Sequence, residues 1–409
     1  MIDRAPIKQQ PPLLRVLGLP LLILYGIGVT VGAGIFVMIG TVTGLAGSRA
    51  PLSFLIAAGI AGVTAASYAT LSRGFPKAAG ASLYVKAAFG RAVGLPVGMG
   101  VALTGIVSSA TILLGFTGYL AELIEVPQPV TVLVTLAAIG LLVQRGVKES
   151  VGAAALLSIV EIGVLVVLIA VGLPLLASVD PWVATFGSGS ALSVPGIVTG
   201  AVLAFFAFIG FEDIVNMAEE TVDPGRVMGS AILGTLAVTT TFYFLLAMIA
   251  TGVPDLGALA RSPAPLATMW NQLTGLSSTW LSSLALVAVI NGVIVQVIMA
   301  SRLLYGMARE EMMPALLARV GTRRTPFVAI WLVIGLVAAL ALTFPIATLA
   351  RATTTVTLLV FASVNLSLVV LGTREGSGPM HRRRWIGALG VVLTFGLALR
   401  EILVFFGAF

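Results

Sequence analysis

The sequence predicts an all-α polytopic membrane protein with about eleven transmembrane helices, two of them interrupted. Three observations carry this expectation. Of the 409 residues, 58% are hydrophobic and only 10% are charged, with a mean hydropathy of +1.11. A soluble fold of this size could not bury so much apolar surface. Apolar segments of about 20 residues, the length that crosses a bilayer core, recur along the chain. The first and sixth of these segments lose helical regularity at mid-depth, at "GVTVGAG" and at "FFAFIGFED". Interruptions five spans apart point to two five-helix halves of inverted topology, with a binding site where the breaks meet.

Taken in order, the spans fall near 16–44, 51–72, 93–121, 129–144, 151–177, 196–218, 228–252, 279–306, 327–344, 348–371 and 385–408. One transmembrane domain then covers 1–409, with repeats over 16–177 and 196–371 and an extra helix at 385–408. Residues 1–15 are polar and basic and lead into the first span, so no cleavable signal peptide is expected. Between the second and third spans, "SRGFPKAAGASLYVKAAFGR" is too polar to cross and suits an interfacial helix. Between the seventh and eighth lies an outer loop with a short helix from Pro265, since proline suits a first helical turn.

The net charge of +7 raises the question of nucleic acid, and its distribution answers it. With the N-terminus in the cytoplasm, only Arg49, Arg261, Arg351 and Arg400 of the 23 Lys and Arg residues lie outside. That asymmetry is the positive-inside rule, and it requires no nucleic acid partner. No cysteine is present, which excludes disulfides, iron–sulfur clusters and thiolate metal sites. The single histidine, His381, sits in a basic loop, and neither cofactor nor metal is expected.

Five motifs in order, "GVTVGAGIFVMIG", "FPKAAGASLYVKAAFG", "GVKES", "FFAFIGFEDIVNMAEETVDPGR" and "ASRLLYGMAREEMMP", resemble the amino acid–polyamine–organocation (APC) transporter superfamily over nearly the whole chain. Within it the chain is most similar to the cationic amino acid transporter and related bacterial permease branches. It departs from the family pattern in having eleven expected spans where twelve are common, Glu310-Glu311 where Asp-Gly is usual, and Asp223-Pro224 where Asn-Pro is usual. The resemblance implies a LeuT-like fold and a secondary active amino acid transporter in the plasma membrane, working by alternating access.

An amino acid matches what the breaks expose. Unwound backbone in lipid leaves N–H and C=O groups that must face a cavity or protein. The N–H groups at Gly32, Ala33 and Gly34, opening the next half-helix, suit a carboxylate. Carbonyls at Val29, Thr30 and Phe208 suit an ammonium, and Ile35, Ile209 and Gly210 complete the two stretches. The alternative is helix packing, because Gly28 and Gly32 have GxxxG spacing. Phe206 is expected as a gate over the substrate, since the resemblance places a bulky residue there; packing is the alternative for any ring of that stripe. Gln296 is expected to face substrate on the same ground.

Three intramembrane acids are candidates for coupling or gating, because a charged carboxyl at mid-bilayer costs about 2.5–3.5 kcal/mol. Glu212 matches the family's acidic position, and Asp213, about 100° away on a helix, is expected to partner a polar group of an adjacent helix. Glu161 stands alone in "ALLSIVEIGVLVVLIAVG", where a proton-coupled branch of the family carries a lysine. A carboxyl there suits a proton carrier, or a structural acid bonded to a neighbouring helix. Residues 284–299 hold no Ser or Thr to ligate sodium, so proton coupling or plain exchange is expected, with Asn291 and Gln296 as the only side-chain oxygens if they face inward. Glu219, Glu220 and Arg226 are expected to pair with inner basic loops. The expected partners are thus an amino acid or related amine, the proton and membrane lipids, with oligomeric state open. The rival classes are an amine or polyamine exchanger, an ion channel, which wants symmetric pore-lining rings, and a membrane enzyme, for which no nucleophile–base set is present.

Overall fold

The computed structural model describes residues 15, 17–31, 34–76, 80–144, 151–178, 180–187, 193–218, 220–309, 313–321 and 325–407, with backbone alone for 151–157. The chain runs as α1 (Leu19–Val31), α2 (Gly34–Ala46), α3 (Ala50–Gly74), α4 (Gly80–Phe89), α5 (Arg91–Ala121), α6 (Gln128–Gln144), α7 (Val151–Ala177) and α8 (Asp180–Phe186). It continues as α9 (Val194–Phe206), α10 (Pro224–Thr251), α11 (Leu256–Arg261), α12 (Pro265–Thr274), α13 (Thr279–Arg309), α14 (Phe327–Thr343), α15 (Ile346–Glu375) and α16 (Pro379–Phe405). Among the described residues there is no β-strand, only an isolated parallel bridge between Leu17 and Thr221.

This is an all-α polytopic membrane protein. Eight helical stretches are long and apolar enough to cross a bilayer by length and composition, and the first of them, Gly34–Gly74, runs through α2 and α3. Leu19–Val31, Gln128–Gln144 and Phe327–Thr343 are shorter apolar helices. Local chemistry sets the ends. Pro51, Pro224, Pro265 and Pro379 stand in first turns, where a missing N–H costs nothing. The Asp255 carboxylate accepts the Ala258 N–H at 2.8 Å and starts α11, and Gly275 with φ 69° ends α12. Inside the spans, hydroxyls such as Thr43, Ser109, Thr111 and Thr353 donate to carbonyls four residues back, which satisfies them without water.

The first interruption expected from the sequence falls on Gly32 and Ala33, between Val31 at the end of α1 and Gly34 at the start of α2, and these two lie outside the described residues. At the second, α9 stops at Phe206, the chain turns through Gly210 at φ 129°, and a 3-10 helix follows over Phe211–Met217. The sequence suggested a span continuing to 218; a tighter helix forms because Gly210 leaves right-handed space.

The aromatic stripe divides. Phe205 and Phe211 join Tyr68 and Phe361 in edge-on and tilted contacts with centroids 5.5–6.1 Å apart, locking α9, the second break, α3 and α15 together. Phe208 packs edge-on against Tyr243 at 5.0 Å. Only Phe206 is left to face a cavity.

Ion pairing differs from the expectation at the end where the chain enters α1. Among the described residues the only ion pairs involve Glu401, which accepts Arg351 Nε at 2.7 Å and also binds Arg400. Arg400 reaches Thr199 Oγ1 at 2.9 Å, so this cluster ties α15, α16 and α9. Glu220 and Arg226 form no ion pair among the described residues, and Glu219 lies outside them. Backbone does that work: the Leu17 N–H donates to Glu220 O and the Val222 N–H donates to Leu17 O, each at 3.0 Å. Exposed ion pairs are weak, whereas two backbone hydrogen bonds fix Leu17, ahead of α1, to the loop after the second break.

Candidate functional site

The facing ends of α1 and α2 press against the second break. A Cβ added to Gly34 would collide with the Ala207 backbone. One added to Gly210 would lie 2.8 Å from Val29 O and 3.1 Å from Thr30 Cα. Glycine therefore permits close approach at both breaks, and at Gly210 also the positive φ. Gly28 combines the two readings given to it: a Cβ there would overlap Ser158 of α7, which is a packing contact, and its backbone also borders a cavity.

That cavity, about 60 Å³, lies where α1, α2, α5, α7, α9 and α13 converge. It has room for a few water molecules, each needing roughly 10–15 Å³ by this measure. Of the residues named from the sequence, Val29, Thr30, Gly34, Phe206, Ile209 and Gln296 line it. Ile35 and Phe208 are buried in packing away from it, and Gly210 acts by contact with Val29 and not as lining. Asn291 and Gln296 both face inward, so α13 does bring two amide side chains to the wall.

Polar atoms around the cavity are unsatisfied. Thr30 Oγ1 and Gln296 Oε1 are buried without a hydrogen-bond partner among the described residues. So are both carboxyl oxygens of Glu161, a residue 1% exposed, one turn along α7 from the cavity-lining Ser158. Buried polar atoms are normally paired, and exceptions cluster where a ligand, a water or a proton belongs.

The other two acids are engaged locally. Glu212 Oε2 accepts the Gly210 N–H at 2.8 Å and so satisfies a donor freed by the break. Asp213 Oδ1 accepts from Asn216 Nδ2 at 3.3 Å. The partner of Asp213 is thus in its own 3-10 turn, and not on an adjacent helix, because that turn brings i and i+3 into line. Neither acid borders the cavity.

Sequence reasoning overlooked Tyr243 of α10. Its hydroxyl lies 3.0 Å from Thr30 O and 2.9 Å from Ala207 O, carbonyls on opposite sides of the paired breaks. One phenolic proton is thereby shared between two acceptors. A signal existed: a tyrosine in mid-span must find a partner for its O–H. Ser108, Ser158, Tyr25 and Ile112 complete the wall and were equally unremarked, since isolated small or apolar residues in a span carry no distinguishing pattern.

A polytopic helical protein in which a broken helix meets the ends of two others at a polar cavity has the build of a membrane transporter. The family model "Amino acid permease" matches residues 17–408, and the chain belongs to that family. The branched-chain amino acid permease BcaP of Bacillus subtilis is 27% identical, over 94% of this chain and 86% of its own. An uncharacterized transporter of Mycobacterium tuberculosis is 33% identical, over 95% of this chain and 87% of its own. The chloroplastic cationic amino acid transporter 9 of Arabidopsis thaliana is 28% identical over 75% of this chain, which spans 58% of that protein.

Proposed function

We propose that this permease moves an amino acid or closely related amine across the plasma membrane by alternating access, with its N-terminus in the cytoplasm. The reading rests on one observation: the second break meets the facing ends of α1 and α2 at a cavity whose wall holds polar atoms of α1 and α13 without a partner among the described residues. The substrate carboxylate takes the N–H groups of Gly32, Ala33 and Gly34, and its ammonium takes carbonyls at Val29 and Thr30. Phe206 covers it, and Gln296 and Asn291 read the side chain. The present cavity admits only a few waters, so binding requires the breaks to part. Residues 16–177 and 196–371 act as two inverted repeats of a LeuT-like fold around this point, with 385–408 outside them. Branched-chain and cationic amino acids, named for two relatives, are the first candidates.

Glu161 is the proton carrier in this reading. It is a carboxyl whose oxygens have no partner, one turn from the cavity wall, whereas Glu212 and Asp213 are already engaged and are left a gating part at most. A change of surroundings during the cycle lets it take up and release the proton. Uptake into proteoliposomes with an imposed pH gradient tests this. Glu161→Gln, which cannot ionise, is expected to flatten the pH dependence of uptake; an unchanged profile would make the residue structural.

Replacing external sodium with choline is expected to leave uptake unchanged, because α13 offers amides and no hydroxyl at the cavity. Loss of uptake would restore sodium coupling through Asn291 and Gln296. The unpartnered carboxyl also favours a second reading, in which Glu161 holds the cationic side chain of the substrate. Competition between leucine and lysine separates the two: strong preference for lysine, lost in Glu161→Gln, selects the cationic reading. Saturable counterflow is expected in either case, and its absence would point to a channel.

A further inference from the structure

We infer that a cleft between α4, α5 and α13, separate from the transport cavity, binds the phosphate head group of an anionic phospholipid. The cleft has a volume of about 270 Å³. Lys86, Arg91 and Arg302 line it, and no described acidic residue does. These three come from different helices, so folding gathers cations that the sequence scatters. Glu310 and Glu311, which follow α13, lie outside the described residues.

Depth and shape favour a lipid over a solvated basic surface. Arg302 sits about two turns inside the end of α13, roughly 10 Å along its axis. It is exposed there and forms no ion pair among the described residues, as is also true of Lys86. A guanidinium at that depth gains from an anion that shares the interface with it. Gly94, Gly98 and Gly306 border the same cleft, and a Cβ at Gly306 would meet nothing within 4 Å, so the floor is open. The α5 helix also begins at Arg91, which adds the positive end of its dipole.

The apolar half of the ligand has its own track. Leu95 lines the cleft, and Met99 and Leu103, four and eight residues further on and exposed, continue along the same face of α5. From Leu95 to Leu103 the helix rises about 12 Å, most of the roughly 15 Å of hydrocarbon in one leaflet. Charge above and an apolar stripe below match a phospholipid, whereas a free phosphate uses only the upper part.

The purified protein in detergent, titrated with phosphatidylglycerol and followed by native mass spectrometry and thermal unfolding, tests the assignment. Phosphatidylcholine with the same chains and inorganic phosphate are the comparison ligands. A phosphatidylglycerol adduct with a rise in unfolding temperature is expected, and neither comparison ligand should produce it. Lys86→Gln combined with Arg302→Gln is expected to weaken the adduct at least fivefold. Gly306→Leu fills the open floor and keeps every charge, and the same loss is expected. Equal retention of phosphatidylglycerol by both variants and the parent protein would overturn the site. Equal retention of the two lipids would reduce it to ordinary lipid contact, and stabilisation by inorganic phosphate at the same concentration would assign the cleft to a free anion.

Discussion

Gly210→Ala is expected to lower substrate uptake at least tenfold in protein that still inserts and purifies as a folded species. Two costs coincide at this position. The backbone has φ 129°, a region that side chains other than glycine adopt at about 1–3 kcal/mol. The new Cβ would also lie 2.8 Å from Val29 O, which is backbone and cannot rotate away. Relief comes only from pushing the second break off the first, and that displaces the cavity wall at Val29 and Thr30. Each 1.4 kcal/mol is a factor of ten in an equilibrium, so strain alone predicts the stated loss. Gly59→Ala is the control, since a Cβ there meets nothing within 4 Å. Normal uptake by Gly210→Ala would show that close contact of the breaks is not needed for transport.

Tyr243→Phe is expected to reduce uptake by about ten- to a hundredfold, because a buried acceptor left without its donor costs about 1–3 kcal/mol. The ring itself should stay in place, held edge-on by Phe54 at 6.0 Å and Phe208 at 5.0 Å. What is lost is the hydroxyl that spans Thr30 O and Ala207 O and keeps the two breaks in register. If the hydroxyl serves only stability, the unfolding temperature falls and substrate affinity is preserved. If it positions the site, affinity falls as well, and titrating binding against temperature separates the two. Wild-type affinity in a folded Tyr243→Phe protein would remove Tyr243 from the site.

Much of the site could be read in advance because glycine and charge are conspicuous in an apolar chain. The cluster around Gly34 and the acids after Gly210 stand out, and Thr30 follows from where a helix is expected to break, while Phe206 and Gln296 came from the family resemblance. What escaped has a common cause. Tyr243 looks like one more aromatic in a span until Thr30 O and Ala207 O arrive from segments far away in sequence. Pairing of Glu219, Glu220 and Arg226 with the inner basic loops was reasonable from charge, yet the backbone of Leu17 is what reaches Glu220 and Val222. The three acids looked alike, and local geometry separated them: Glu212 and Asp213 bond within their own turn, while Glu161 bonds to nothing described.

The sequence by itself determined that this protein lives in a membrane as a bundle of helices, and where two of those helices break. Hydropathy and glycine content act locally, over a turn or a span, so they are written in consecutive residues. Only the tertiary structure decided that the breaks touch, which phenylalanine faces the cavity, and which carboxyl is left unpaired. Those outcomes depend on contacts between residues remote in the chain, and on the rule that in lipid every freed backbone group must find its partner from whichever helix folding brings beside it.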